Sequence, residues 1–497
     1  MKVQVFDEPN LLFAHQQQLQ YPHDGLSFFG PVGAAEVTHP HAITWSVVGP
    51  QRTIDLFLKF VKVLEMPVLP PEGQNSMIWP AYPGFEAAFH SKLANSPLHA
   101  YTVDDADLLQ ASRHNDHNVR VGSVVDLYLS QIQRIDKQDE RPSVLICLAP
   151  DFIDDNCRPM SRVKDGHGER ISRSEKQLRQ SGQGDFFSEY EPDHYDYCPD
   201  YRRQLKARAM THGLPIQILL ESTVSAFTPE EAKLLGKTPL SDRAWNIATA
   251  FYYKAGGKPW QLSSIRDGVC YVGLTFKRTS DNESSRSACC AAQMFLKDGD
   301  GIVFKGEEGR WYSPEDKQFH LSADAARSLL KGVLGSYNDQ FGKPLTEIFL
   351  HCHSEIGEEE LKGFSEACPP GARLVIIRVR QERYDFRLFR EGTRPVLRGT
   401  FAKMDERTAY LWASGFKPRL AVYDGWETPA PLKISILHGE ADIEQVAKDI
   451  YGLTKLNYNA CRLGEANPVT IGFAGAIGDI LVANPKAVAR PQIKFYI

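Results

Sequence analysis

The chain contains no apolar run approaching the ~18 residues a membrane-spanning helix needs, and it does not open on a charged-then-apolar leader. Cysteine is sparse and patternless. The nine residues are an odd count without regular spacing, which argues against a disulfide scaffold and for reduced thiols in a cytoplasmic protein. Internal repeats and low-complexity tracts are missing. So is a glycine fingerprint with a following acidic residue after the first predicted strand, so a dinucleotide site has little support there. Neither sign of charge dominates: a formal net charge of −5 excludes a wholly basic coat for nucleic acid.

What is present is ordinary globular composition, 42% hydrophobic and 24% charged, over 497 residues, enough for two or three domains with real cores. Charge is uneven along the chain. Residues 158–179 hold seven Lys/Arg against three Asp/Glu, a net of +4, and residues 373–419 hold twelve against five, a net of +7. Basic segments in an acidic protein suit a channel for a polyanion, and they equally suit solvated loops and outer strand faces.

Alternation of short apolar runs with helical patterns predicts an α/β fold in the first half. Strands are expected at Ile43–Val48, Ser143–Leu148 and Pro215–Leu220. Ile54, Phe57, Leu58, Val61 and Leu64 recur at helical spacing, and a second helix is expected over Val121–Ile135. Pro67–Phe85 is proline-rich and aromatic, hence a surface loop, and Asn156–Asp200 is polar enough to be a long, partly disordered insertion. The second half predicts strands at Gly268–Lys277, Ala288–Leu296, Gly301–Lys305, Glu347–His351, Val375–Val379, Arg398–Ala402 and Val469–Phe473. Helices are expected over Ala323–Phe341, Asp442–Leu453 and from about Ala476 to Val482. The apolar terminus Ile493–Ile497 should be buried.

The most informative stretch runs from Tyr201 to Trp260. A helix opens after Cys198-Pro199-Asp200 and stops at Gly213, with Arg202 and Lys206 four residues apart on one face. The strand after it carries one interior amide, Gln217, and a further helix from near Ser241 to Gly256-Gly257 puts Lys254 in its last turn. Three cations and an amide on elements that pack together suit a terminal phosphate, which carries nearly two charges and three acceptor oxygens. A solvated helix face, with Lys254 serving its helix C-terminus, fits the same spacing.

The arm EPNLLFAH…DGLSFFGP, the segments YPGFEAAF and YYKAGGKPWQLSSIRDGVCYVGL, and DIYGLTKLNYNA followed by PVTIGFA resemble the short prokaryotic Argonautes, over essentially the full chain. The resemblance implies a Rossmann-like MID domain over residues 36–240 behind an arm of residues 1–35, then an RNase H-like PIWI domain over 241–497. It implies that Arg202, Lys206, Gln217 and Lys254 hold the 5′ phosphate of a short guide RNA. A magnesium ion would be bridged to that phosphate by the carboxylate of Ile497. The partners implied are a complementary single-stranded DNA target and, as a heterodimer, an APAZ-containing effector protein with a TIR, sirtuin-like or nuclease domain. The role implied is prokaryotic defence against plasmids and phage by abortive infection.

An active PIWI centre needs carboxylates converging on paired divalent ions. The resemblance places Thr275, Cys352 and Gly475 where acids or a ligand belong, so no nuclease activity is expected. The alternative is an active guide-directed nuclease whose acids lie elsewhere, for instance at Asp267 or Glu355. His351-Cys352-His353 is a weak zinc motif, because on a strand the cysteine points away from both histidines.

Overall fold

The computed structural model describes the chain apart from residues 170–171, 181–191, 196–197, 265, 267, 279–287, 296–300, 314, 316, 343, 385, 424–427 and 485–488. Four parallel strands form the first sheet, in the order Ala100–Thr102, Trp45–Gly49, Val144–Ala149, Ile216–Leu220. Parallel strands need helical crossovers, which cover both faces and make the strands apolar throughout. Trp45, Val47, Ile146 and Leu148 face the helix Gln51–Glu65, whose buried Ile54, Phe57, Val61 and Leu64 follow the predicted spacing. Val48, Leu145 and Cys147 face the other way, onto the helix His117–Asp136 and the helix Tyr201–Ala209.

The second sheet has nine strands. Val269–Arg278 is its organising strand, antiparallel to Ala288–Phe295 on one side and parallel to Glu347–Cys352 on the other. Gly301–Gly309 completes that end. Beyond Glu347–Cys352 come Arg373–Gln381, Leu432–His438, Thr408–Trp412, Thr400–Lys403 and, at the edge, Lys2–Val5. One face rests on the helices Ala323–Phe341 and Glu358–Ala367. The other joins a core that runs continuously from Trp45 in the first sheet to Ile497. The expected α/β architecture is therefore what the chain builds.

The N-terminal arm is held by a buried charge cluster. Glu8 accepts hydrogen bonds from Arg398 Nε at 3.1 Å, Lys455 Nζ at 3.0 Å and Tyr451 Oη at 2.6 Å. Burial alone would raise the Glu8 pKa, yet Arg398 and Lys455 hold it down at about 2. Both cations are essentially inaccessible, Arg398 at 4% and Lys455 at 1%.

One prediction fails outright. Val469–Phe473 is not a strand but the start of a helix, Val469–Ala483, with Pro468 at its N-cap. The β-branched, apolar run imitates a buried strand, but the context decides otherwise. This helix lies almost against the sheet. A Cβ on Gly273 would come within 2.0 Å of the Thr470 carbonyl oxygen, and one on Gly478 within 3.1 Å of Thr275 Oγ1. Gly273 could take no Cβ without displacing the Thr470 backbone, whereas at Gly478 the Thr275 and Lys277 side chains would have to give way.

The insertion after Asn156 is partly ordered: Arg173–Gln180 is helical, and Asn115 Nδ2 donates to the Gly168 carbonyl at 2.7 Å. The remainder of the expected disorder falls outside the described residues. Among the described residues, no helix is long and apolar enough to cross a membrane.

Candidate functional site

The Tyr201–Ala209 helix begins where expected because Asp200 caps it, its carboxylate accepting from the Arg203 amide at 3.1 Å. It ends through a short 3₁₀ turn at Gly213, whose φ of +64° is the left-handed conformation that favours glycine. The chain then returns along Ile216–Leu220, with Gln217 beside Ile146 of the neighbouring strand. The helix Leu240–Lys254 is buried along nearly its whole length, and Lys254 is its last residue.

These elements meet the Val469–Ala483 helix and the chain end around a cavity of about 330 Å³. Arg202, Lys206, Gln217 and Ile497 all line it, and Lys254 stands immediately behind. Lys206 Nζ donates to the Tyr496 carbonyl at 3.0 Å, and Lys254 Nζ donates to the Ile497 oxygen. Gln217 Oε1 is buried with no hydrogen-bond partner among the described residues. Arg202, half exposed at the rim, is held by Asp154 at 3.2 Å. All the residues singled out for a terminal phosphate thus gather at one place.

Among the described residues, neither lysine faces a carboxylate side chain within ion-pair distance, and burial disfavours their charged forms. Burial, and then the adjacent Arg202, pull the Lys206 ammonium down to about 8. Burial and then Lys206 drive Lys254 well below its ordinary value. An anion entering here would restore both. Affinity for a terminal phosphate should therefore peak between about pH 6, where the phosphate gains its second charge, and about 8, above which Lys206 sheds its proton. The ligand-free protein should in turn gain stability as pH rises from about 8 towards 10.5, because the unfolded chain there binds a proton that the folded one lacks. Anisotropy titrations and thermal melts from about pH 5 to about pH 10 read both; a flat affinity profile counts against the cationic pocket.

Two charged lining residues were not assigned to the pocket from sequence, Arg203 because facing water fitted it equally well. Arg203 also faces the cavity but is already paired, with Asp200 and with Asp479, each at 3.1 Å. Asp479 lies in the part of the Val469–Ala483 helix that was expected to be helical, but nothing in the sequence marked it as facing a cavity built by distant segments.

The basic segment at residues 373–419 is only partly a channel. Arg373 pairs with Glu347, Arg378 with Glu355, Arg419 with Asp24, and Arg398 is buried. Arg383, Arg387 and Lys417 do line a second cavity, of about 560 Å³, together with Arg462. Its walls at Ala413 and Glu465 are fixed from behind by Arg398, which donates to both carbonyls.

Around the expected nuclease centre, Thr275 faces the Val469–Ala483 helix, and Gly475 of that helix has open space beside it. Cys352 is not beside Thr275. It points to the opposite face of the sheet, into the cluster under Ala323–Phe341, where its Sγ donates to the Ser354 carbonyl at 3.3 Å and burial pushes the thiol up to about 12. Gly273 pairs with His351, so the residue level with Thr275, and on its face, is His353. His351 Nδ1 lies 2.8 Å from Thr470 Oγ1, away from Cys352, which separates the three members of the zinc motif. Glu355 is taken by Arg378, and Asp267 lies outside the described residues. Among the described residues, no three His, Cys, Asp or Glu are grouped to hold a metal ion.

Neither a protein-family model nor a curated protein matches the sequence. Solved structures do match the fold. Clostridium butyricum Argonaute, bound to a guide DNA with a 5′ deoxycytidine and a 19-mer target DNA, aligns over 100% of this chain and 55% of its own, with a TM-score of 0.64 at 14% identity. Aa-Ago with externally bound siRNA aligns over 99% and 56%, with a TM-score of 0.56 at 14% identity. Drosophila Piwi aligns over 99% and 55%, with a TM-score of 0.56 at 13% identity. The chain spans about half the length of these proteins. At such low identity the likeness establishes architecture alone: from end to end, this chain is folded like the corresponding part of an Argonaute or Piwi protein.

Proposed function

We propose that the chain binds a short guide strand by its 5′-phosphorylated end and uses it to sense a complementary DNA without cutting it. The observation that carries this reading is the pocket itself. A buried lysine, a half-buried lysine, a rim arginine and an amide oxygen without a partner among the described residues converge on one cavity in a fold of the Argonaute kind. A terminal phosphate supplies the missing charge and acceptors; a 5′ hydroxyl supplies neither. The second basic cavity, with Arg383, Arg387, Lys417 and Arg462, suits the phosphodiester backbone. Sequence would then be read by base pairing rather than by side chains.

Magnesium belongs to the same reading. The Ile497 oxygen and Gln217 Oε1 at the cavity are hard oxygens, the donor type this ion takes. Ile497 would hold it together with the guide phosphates, and the ion would offset repulsion among them. The side chains near Thr275 support the absence of cleavage, since a hydroxyl, the imidazole of His353 and the bare Gly475 replace hard carboxylates there. With no chemistry of its own, such a protein would act through a partner. We infer a guide RNA and a heterodimer with an APAZ-bearing effector protein, switched on by target binding in prokaryotic defence.

The test uses guides that differ only at the 5′ end. The phosphorylated guide should bind at least about a hundredfold more tightly than the hydroxyl form, the scale of two charge-assisted hydrogen bonds. Guide-loaded protein with Mg²⁺ or Mn²⁺ should leave a complementary target intact. Equal affinity for the two ends rejects the pocket, and guide-dependent scission rejects the inactive centre.

A further inference from the structure

An anion pocket is an unfavourable place for a carboxylate, yet Asp479 lines this one. Its Oδ2 accepts from Arg203 Nη2 at 3.1 Å, and its Oδ1 accepts from Lys277 Nζ at 2.9 Å. The two cations belong to different units of the fold. Arg203 is on the Tyr201–Ala209 helix of the first, and Lys277 is the last residue but one of the Val269–Arg278 strand of the second, two residues beyond Thr275 and on its face. Asp479 is about one-quarter exposed, Arg203 and Lys277 about one-third. Ion pairs that wet are individually weak and exchangeable.

Resting on the guide-binding reading, we propose that Asp479 senses occupancy of the phosphate pocket. With the pocket empty it holds Arg203. An incoming terminal phosphate, with nearly twice its charge and three acceptor oxygens, takes Arg203 from it, and Lys277 then retains the displaced carboxylate. The exchange strengthens the Asp479–Lys277 pair at the end of the Val269–Arg278 strand. Loading of the guide's 5′ end is thereby coupled to the end of the strand that carries Thr275. A 5′ hydroxyl has no charge with which to compete, so it leaves the pair with Arg203 in place. Coupling of this kind is reciprocal: whatever weakens the hold of Lys277 on Asp479 must also weaken phosphate binding.

The experiment is a double-mutant cycle on the full chain, read as affinity for 5′-phosphorylated and 5′-hydroxyl oligonucleotides with and without Mg²⁺. Asp479→Asn should tighten binding of the phosphorylated strand roughly tenfold and leave the hydroxyl strand unchanged. Lys277→Met should weaken the phosphorylated strand roughly threefold when Asp479 is present and have no effect in the Asp479→Asn background. That background dependence is a result a merely structural lysine would not give. Loss of affinity in Asp479→Asn, whether general or confined to Mg²⁺, or additive effects of the two substitutions, would overturn the proposal. An unmutated protein indifferent to the 5′ phosphate would instead remove the guide-binding reading beneath it.

Discussion

Lys206→Ala combined with Lys254→Ala erases the preference for a 5′-phosphorylated guide. The expected loss is about a hundredfold in affinity for the phosphorylated strand, with little change for the hydroxyl form, measured by competitive binding. The physical ground is that both ammonium groups point at the chain end, onto the Tyr496 and Ile497 oxygens, and lack a side-chain carboxylate to neutralise them. Their suppressed basicity has burial as its first cause and a neighbouring cation as its second. Groups kept at such cost to the empty fold suit a ligand that repairs the imbalance. The double variant should accordingly melt no lower than the parent by more than a few degrees, on the order of 1 kcal/mol. A folded variant that still discriminates the two guide ends places the phosphate elsewhere.

The second large effect concerns stability. Glu8→Ala should destabilise the fold by roughly 3–5 kcal/mol, because it strands two cations in the interior. Arg398 donates to Glu8, to the Thr454 hydroxyl at 2.7 Å and to the backbone carbonyls of Ala413 and Glu465. Lys455 also donates to the Gln20 carbonyl at 2.6 Å, so the cluster ties the first twenty residues to the second sheet. Lys455→Met should cost much less, since it leaves a one-to-one Glu8–Arg398 pair. Acid should reproduce the larger effect. The Glu8 carboxylate titrates at about 2 when folded against 4.5 when free, so its contribution is complete above 4.5 and is lost as pH falls towards 2. Denaturant titrations of both variants, at neutral pH and near pH 3, decide the matter. Equal costs for the two substitutions would mean that packing, not charge, holds the arm. Because Arg398 also braces both walls of the basic cavity, loosening the arm should disturb that groove before it disturbs the phosphate pocket.

The parts of this molecule that could be read from the sequence are those set by local pattern. The strand at Ile216–Leu220 and the helices on either side of it announce themselves through period, a capping aspartate and the glycine at 213. Because Arg202, Lys206 and Gln217 lie within sixteen positions of one another, their neighbourhood was also legible. Where the outcome depended on contacts between distant segments, the reading failed. Val469–Phe473 looks like a strand because its residues favour one, yet it is helical, packed where Gly273 of a distant strand lets the Thr470 backbone come close. Cys352 was matched to the wrong side of the sheet by one residue, and in a strand one residue is the difference between faces. The partnership of Glu8 with Arg398 spans 390 positions, beyond the reach of any local pattern.

The burial of the final residue has a practical side. Ile497 is 5% exposed, and its backbone oxygen is in the grip of Lys254 at the back of the cavity. A bulky group attached at Ile497 should therefore crowd the cavity that this residue lines. Met1, 72% exposed and next to the edge strand Lys2–Val5, offers an attachment point away from it.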